Sequence, residues 1–323
     1  MTSSRIVKTT AAAGLLCLLY LIQPQVLSKT SAAAYNLTFF LVSDLHYGLN
    51  ENTAAYNQAV IDEINALPGT PYPEGILRGR VKQPMGVAVL GDLVDHGHKK
   101  TGQKEWEAYT RDFGVAGEGR IAFPVYEGFG NHDGGEEHPI RQGIKKRNPK
   151  RPGLSHISKN GFHYSWDWEG IHFIQLNLYP GTVADEISNP FELPFEGSWK
   201  EPLYSLKFLK ADLKKHIQDK KHPVILFMHY GFDEWGRYCW SERERKVFYK
   251  AIKDYHVTAV FFGHTHVVQS VKWKGIPTFC VGSSQKNSGP GEFLVVHIRK
   301  NKMYVLERKI NNWGIVYKIK FKK

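Results

Sequence analysis

Five short stretches of this chain hold side chains able to bind a metal or move a proton. Asp44 and His46 lie in SDLH, Asp92 and Asp95 in GDLVD, and Asn131, His132 and Asp133 in GNHD; His229 lies in MHYG, and His264 and His266 in GHTH. Their donors are oxygen and imidazole nitrogen without a thiolate, a set that suits manganese, iron, zinc or cobalt better than copper(I) or an iron–sulfur cluster. An Asp-x-His or His-x-His pair at a strand end can direct two donors to one locus, and a central carboxylate can bridge two cations about 3.5 to 4 Å apart. The chemistry that suits these residues is therefore a two-metal centre. Glycines stand immediately before Asp92, Asn131 and His264, where a residue without a Cβ lets the backbone turn sharply and come close to such a centre.

Residues so far apart in sequence meet only if regular elements deliver them. Six β-rich apolar runs, 37–42, 86–90, 125–129, 172–176, 224–228 and 259–262, read as buried strands, each followed at once by Ser, Gly, Asn or His. Helical patterns lie between them, clearest at 53–67, 206–217 and 241–255, the last opened by Ser241 with Glu244 three residues on as a capping box. This alternation argues for an α/β layered domain. The tail from Phe293 to Phe321 alternates with period two, so a mixed sheet is expected rather than a wholly parallel one. Loops at the carboxyl ends of strands in an α/β sheet converge on one crevice, which would gather the five motifs.

In order and motif these residues resemble the calcineurin-like metallophosphoesterase family, which joins purple acid phosphatases, Ser/Thr phosphatases, nucleases and sphingomyelinase-like enzymes. The resemblance runs from about Phe39 to His266. It implies a four-layer α/β/β/α sandwich with mixed sheets and a dinuclear metal site at the carboxyl ends of the strands. One ion, divalent or part of a mixed-valence pair, would take Asp44, His46, Asp92 and His266; the other would take Asp92, Asn131, His229 and His264, with Asp92 as the bridge. His132 matches a histidine that is not a ligand but contacts the phosphoryl group and assists the leaving oxygen, and Asp133 is expected to orient its imidazole. The implied reaction is hydrolysis of a phosphomonoester or phosphodiester by a metal-bound hydroxide. Purple acid phosphatases place a tyrosine where this chain has Asp95, so Asp95 is expected to make a supporting hydrogen bond and not to be a ligand. A non-catalytic, adhesin-like binding protein that keeps the fold is the alternative from another class.

Composition narrows the setting. The chain of 323 residues is 42% hydrophobic and 23% charged, too apolar for a disordered polymer. Arg5 and Lys8, the apolar run from Ala11 to Ile22, Pro24 and the small residues Ala32 to Ala34 read as an export signal cut after Ala34. That run is short of the roughly 20 residues that span a bilayer, with an uncleaved anchor as the competing reading. The expected organisation is a signal at 1–34 and one phosphoesterase domain at 35–323, secreted to an extracellular or periplasmic space. Cys239 and Cys280 would remain, as one disulfide or two buried thiols. Lysine and arginine outnumber acids 43 to 31, and loss of Arg5, Lys8 and Lys29 with the signal lowers the net charge by three, from +12 to +9. A balance of that sign suggests an acidic partner.

Six of those positive charges fall between Arg141 and Arg151 with no acid among them. The run reads as a solvated face, or as a rim on which Lys145, Lys146 and Arg147 draw in a phosphorylated small molecule or a lipid head group at a membrane surface. No basic, aromatic-laced module for nucleic acid is present. After His229, the aromatics of YGFDEWGRYCW suggest either core or a substrate wall built on Tyr230 and Trp235, and the loop from Tyr179 to Pro202 is a candidate lid. Histidines outside the motifs, among them His156, His172 and His216, are read as ordinary core or loop residues.

Overall fold

The apolar runs form two mixed sheets in the structure, a computed structural model that describes residues 35–181, 200–286 and 288–320. The export signal and the 182–199 part of the candidate lid lie outside the described residues. In chain order the strands are β1 (Tyr35–Val42), β2 (Val87–Leu90), β3 (Val125–Gly128), β4 (Leu154–Ile157), β5 (Tyr164–Trp168), β6 (Ile171–Gln175), β7 (Val224–Phe227) and β8 (Val257–Phe262). They continue with β9 (Val268–Trp273), β10 (Ile276–Val281), β11 (Gln285–Lys286), β12 (Gly289–Pro290), β13 (Phe293–Lys300), β14 (Lys302–Lys309) and β15 (Asn312–Lys320). The helices are α1 (Thr53–Ala66), α2 (Gly102–Asp112), α3 (Pro139–Arg147), α4 (Ser205–His216), α5 (Gly236–Cys239) and α6 (Glu242–Ile252).

One sheet runs β15-β14-β13-β1-β2-β3 and the other β4-β5-β6-β7-β8-β10-β9. Their centres are parallel and their margins antiparallel: β1, β2 and β3 pair in parallel, as do β6, β7 and β8, whereas β13 to β15 form the hairpins expected of the period-two tail. Parallel neighbours cannot be joined by tight turns, so α1, α2, α4 and α6 carry the crossovers. Side-chain alternation in β1 divides the core in two. Phe39 and Leu41 pack with Phe173, Phe227 and Phe261 between the sheets, while Phe40 and Val42 join the helical residues Val60, Ile61 and Ile64 on the outside. Phe39 and Phe173 meet edge to face at 5.4 Å, a favoured geometry for aromatic pairs. The layers are thus α/β/β/α. Ser241 and Glu244 form the expected capping box at the start of α6.

The basic run from Arg141 to Arg151 departs from its expected place. Arg141 and Arg151 are buried and Arg147 nearly so; Glu127 in β3 is a buried carboxylate that needs cations around it and takes Arg147 and Arg151. Arg147 Nε lies 2.7 Å and Arg151 Nη2 lies 2.6 Å from Glu127 Oε1, and Tyr109 donates to Glu127 Oε2 at 3.0 Å. Arg141 pairs with Glu201 at 2.9 Å and covers the Phe129 ring at 4.3 Å. The Lys145 ammonium sits 5.2 Å over the Phe162 ring. Of the three expected substrate contacts only Lys146 is solvent-exposed. Cys239 and Cys280 are both free thiols. No helix among the described residues is long and apolar enough to cross a membrane.

Candidate metal centre

Just beyond the carboxyl ends of β1, β2, β3, β7 and β8 stand Asp44 and His46, Asp92, Asn131, His229, and His264 and His266. Their loops are tied to one another through the backbone: Asp44 N donates to Gly91 O, His46 N to Asp92 O and Gly263 N to His229 O, at 3.0, 3.0 and 3.1 Å. Asp44, His46, Asp92, His264 and His266 all adopt positive φ, between 44° and 76°. Non-glycine residues seldom occupy that region, and they persist there where surrounding contacts impose it, commonly at functional sites. Two of the glycines flanking the motifs are explained sterically. A Cβ on Gly130 would run into the Asp92 carboxylate, and one on Gly91, at φ 101°, would lie 2.7 Å from His229 Nδ1.

The donor atoms converge. His266 Nε2 is 3.4 Å from Asp44 Oδ1 and 3.1 Å from His46 Nε2. His229 Nε2 is 3.2 Å from Asp92 Oδ2 and 3.1 Å from Asn131 Oδ1, and His46 Nε2 is 3.7 Å from Asp92 Oδ2. Two triads result, Asp44/His46/His266 and Asp92/His229/His264, each with its ligand atoms within 4.8 Å of one another. Asp92 also forms such a group with His46 and His132, so it lies between the two halves. The residues fit a pair of cations: imidazole nitrogens face each other, and the buried Asn131 Nδ2 has no hydrogen-bond partner while its Oδ1 points at His229.

Hydrogen bonds behind the rings set which nitrogen is presented. A carbonyl can only accept, so the contacts of His229 Nδ1 with Leu90 O at 2.8 Å and of His132 Nδ1 with Asp95 O at 3.0 Å place the proton on Nδ1 in both. Asp95 Oδ1 accepts from His46 Nδ1 at 2.9 Å and so directs Nε2 toward the centre. This is the supporting hydrogen bond expected of Asp95. Asp133 does something different from expectation: its carboxylate accepts from the backbone N–H of Leu93, Val94 and Gly130 at 2.9, 3.1 and 2.7 Å. It ties two motif loops together, and the backbone carbonyl of Asp95 is what holds the His132 ring.

Charge follows the same layout. Burial alone would raise the Asp44 and Asp92 carboxyls, yet His266 brings Asp44 down to about 2, and His229 and His132 hold Asp92 well below its ordinary value. Burial and the neighbouring His229 push His264 down to about 3. Against burial, the same carboxylates push His229 up to about 9 and raise His266, so protonated histidines and bound cations are alternative ways to balance the two charges.

A cavity of about 400 Å³ opens over the centre, lined by His46, Asp92, Asp95, His132, His264 and His266. Leu49, Gln285 and Lys286 also line it, and no motif in the sequence marked them. Lys286 Nζ donates to His266 O at 2.6 Å and pairs with Glu292 at 2.8 Å. Neither expected aromatic contact lines the cavity. Tyr230 is buried and supports the ligand side, its ring edge-on to His264 at 4.8 Å, and Trp235 projects into solvent, 66% exposed. The Cys239 thiol lies 3.3 Å from His264 Nε2.

A sequence model of the calcineurin-like phosphoesterase family matches residues 37–268. A dimetal phosphatase from Danio rerio superposes with a TM-score of 0.59 at 13% identity, over 88% of this chain and 99% of that one. GAP50, described as the anchor in the inner membrane complex of Plasmodium, superposes with a TM-score of 0.54 at 15% identity, over 89% of this chain and 90% of that one. Among curated protein sequences the chain has no match.

Proposed function

The chain belongs to the calcineurin-like phosphoesterase family, and from that premise we propose that it is an exported, metal-dependent hydrolase of a phosphorylated small molecule. One observation carries the reading: two ligand triads stand side by side, with Asp92 of one also grouped with His46 of the other and with His132. Asp44, His46, Asp92 and His266 would hold one ion and Asp92, Asn131, His229 and His264 the other. When bound, manganese, iron, zinc or cobalt would supply Lewis acidity and an activated water.

The remaining roles belong to the chain. His132 has Nδ1 committed to the Asp95 carbonyl, which leaves Nε2 as the atom that contacts the phosphoryl group and passes a proton to the leaving oxygen. Asp95 fixes both His46 and His132 and so sets where the substrate must lie. Lys286 lines the cavity with its ammonium held by Glu292 and the His266 carbonyl. The basic run cannot serve as evidence for a lipid head group, since its three arginines, half of its charges, are spent on internal ion pairs. Export rests on the signal-like residues 1–34. Structures as distant as the Danio phosphatase and the Plasmodium anchor share the fold alone, so preference for an enzyme over a binding protein rests on the complete donor set and His132.

A substrate panel tests the proposal. Exported protein, its mature chain starting at Tyr35, is assayed on phosphomonoesters and phosphodiesters with manganese, zinc and iron. Turnover of at least one ester class is expected with at least one metal. Metal uptake without turnover of either class would favour the binding-protein reading instead.

A further inference from the structure

A second group of metal-type donors lies toward the other end of the seven-stranded sheet, where β6 and β7 begin. Asp212 and His216 stand four residues apart on the last turns of α4 and so share one face of that helix. His156, on edge strand β4, comes to the same point. Asp212 Oδ1 lies 2.9 Å from His156 Nδ1 and 3.9 Å from His216 Nε2, and one donor atom from each residue lies within 4.8 Å of the others. The carboxylate is completely buried, while the two imidazoles are 24% and 22% exposed, which leaves an ion a way in.

A hydrogen-bonded cluster accounts for only part of this arrangement. His156 Nδ1 and Asp212 Oδ1 are themselves within hydrogen-bond distance at 2.9 Å, His172 Nε2 meets Asp212 Oδ2 at 2.7 Å, Ser165 Oγ donates to Asp212 Oδ1 at 2.7 Å, and His172 Nδ1 meets Asp167 at 2.9 Å. His216 Nε2, by contrast, is buried with no hydrogen-bond partner. Its 3.9 Å from Asp212 is too long for a hydrogen bond. Two ligands of a tetrahedral ion, each about 2.0 to 2.1 Å from it, stand roughly 3.3 Å apart, so the pair would close by about 0.6 Å on binding. The contacts of His172 and Ser165 are the support that a metal-bound carboxylate receives from behind.

We propose that His156, Asp212 and His216 form a second metal site, for a zinc-type divalent cation, with a fourth position left to water. The ion would tie edge strand β4 to α4, far along the sheet from the strand ends that carry the phosphoesterase centre.

Counting zinc tests this. Full mature chain, loaded with Zn²⁺ and freed of excess, should carry one ion fewer in His216→Gln and in His156→Gln than in wild type. Mn²⁺-supported hydrolysis should change less than about twofold. Both residues are partly exposed, so both variants are expected to stay folded, and loss of one ion in either supports the site. The count does not depend on catalysis: a chain without hydrolytic activity would still show the one-ion difference. Equal zinc content in wild type and both variants would overturn the proposal and leave the cluster a hydrogen-bonded brace.

Discussion

Phosphoester hydrolysis should fall by about three orders of magnitude or more in Asp92→Asn while the chain stays folded. Asp92 meets both halves of the centre: Oδ2 lies 3.2 Å from His229 Nε2 and 3.7 Å from His46 Nε2, and Oδ1 accepts from His132 N at 2.8 Å. An amide has the same shape but neither the charge nor the second acceptor that joins the two sides. Loss of roughly 4 kcal/mol of charge stabilisation at the transition state corresponds to that fall in rate. The backbone around the site is held by contacts that survive the change, among them those of Asp133 and the inter-loop bonds of Asp44, His46 and Gly263. Circular dichroism and thermal unfolding would establish that the variant is folded. A folded Asp92→Asn protein with the wild-type rate would sink the ligand assignment.

The second large effect is on stability. Glu127→Ala should cost about 3 to 5 kcal/mol, the loss expected when one partner of a buried ion pair is removed and the others stay buried. Arg151 is buried and Arg147 mostly so, and both point at the Glu127 carboxylate. Burial would raise that carboxyl, but the two guanidiniums hold it down at about 2 against an ordinary 4.5. Its folded-state value is depressed, so the linked stability is present above the ordinary value and drains away as pH falls from about 4.5 through about 2. Urea unfolding at neutral pH and near pH 3 measures both effects. A change under about 1 kcal/mol in Glu127→Ala would mean that the arginines find other partners.

The arginines were misplaced from sequence for a physical reason. A run of six basic residues reads as a solvated face, yet Arg141, Ile144, Arg147 and Arg151 recur at intervals of three and four, in step with buried Ile140 and Ile144. The clue was the partner: a glutamate inside the apolar run of β3 demands a buried cation. The metal-type donors were legible because their chemistry restricts residue type and spacing, and the central strands were legible because burial on both faces leaves unbroken apolar runs. Backbone geometry was not. Positive φ at Asp44, His46, Asp92, His264 and His266 is imposed by contacts between loops far apart in sequence. The same holds for Asp133, whose three backbone partners no local pattern announces. Helix α2, whose buried face holds Trp106 and Tyr109, and β5, where Tyr164, Trp166 and Trp168 alternate with Ser165 and Asp167, were not read from the sequence.

The central claim, a phosphoesterase working through two metals on a shared carboxylate, is tested most directly by metal reconstitution. Protein stripped by a chelator is titrated with Mn²⁺ while hydrolysis of p-nitrophenyl phosphate and bis(p-nitrophenyl) phosphate is followed. The account predicts no turnover without metal and a rate that keeps rising beyond one equivalent per chain. Full activity after metal removal, or bound metal with no hydrolysis of either ester, would contradict it.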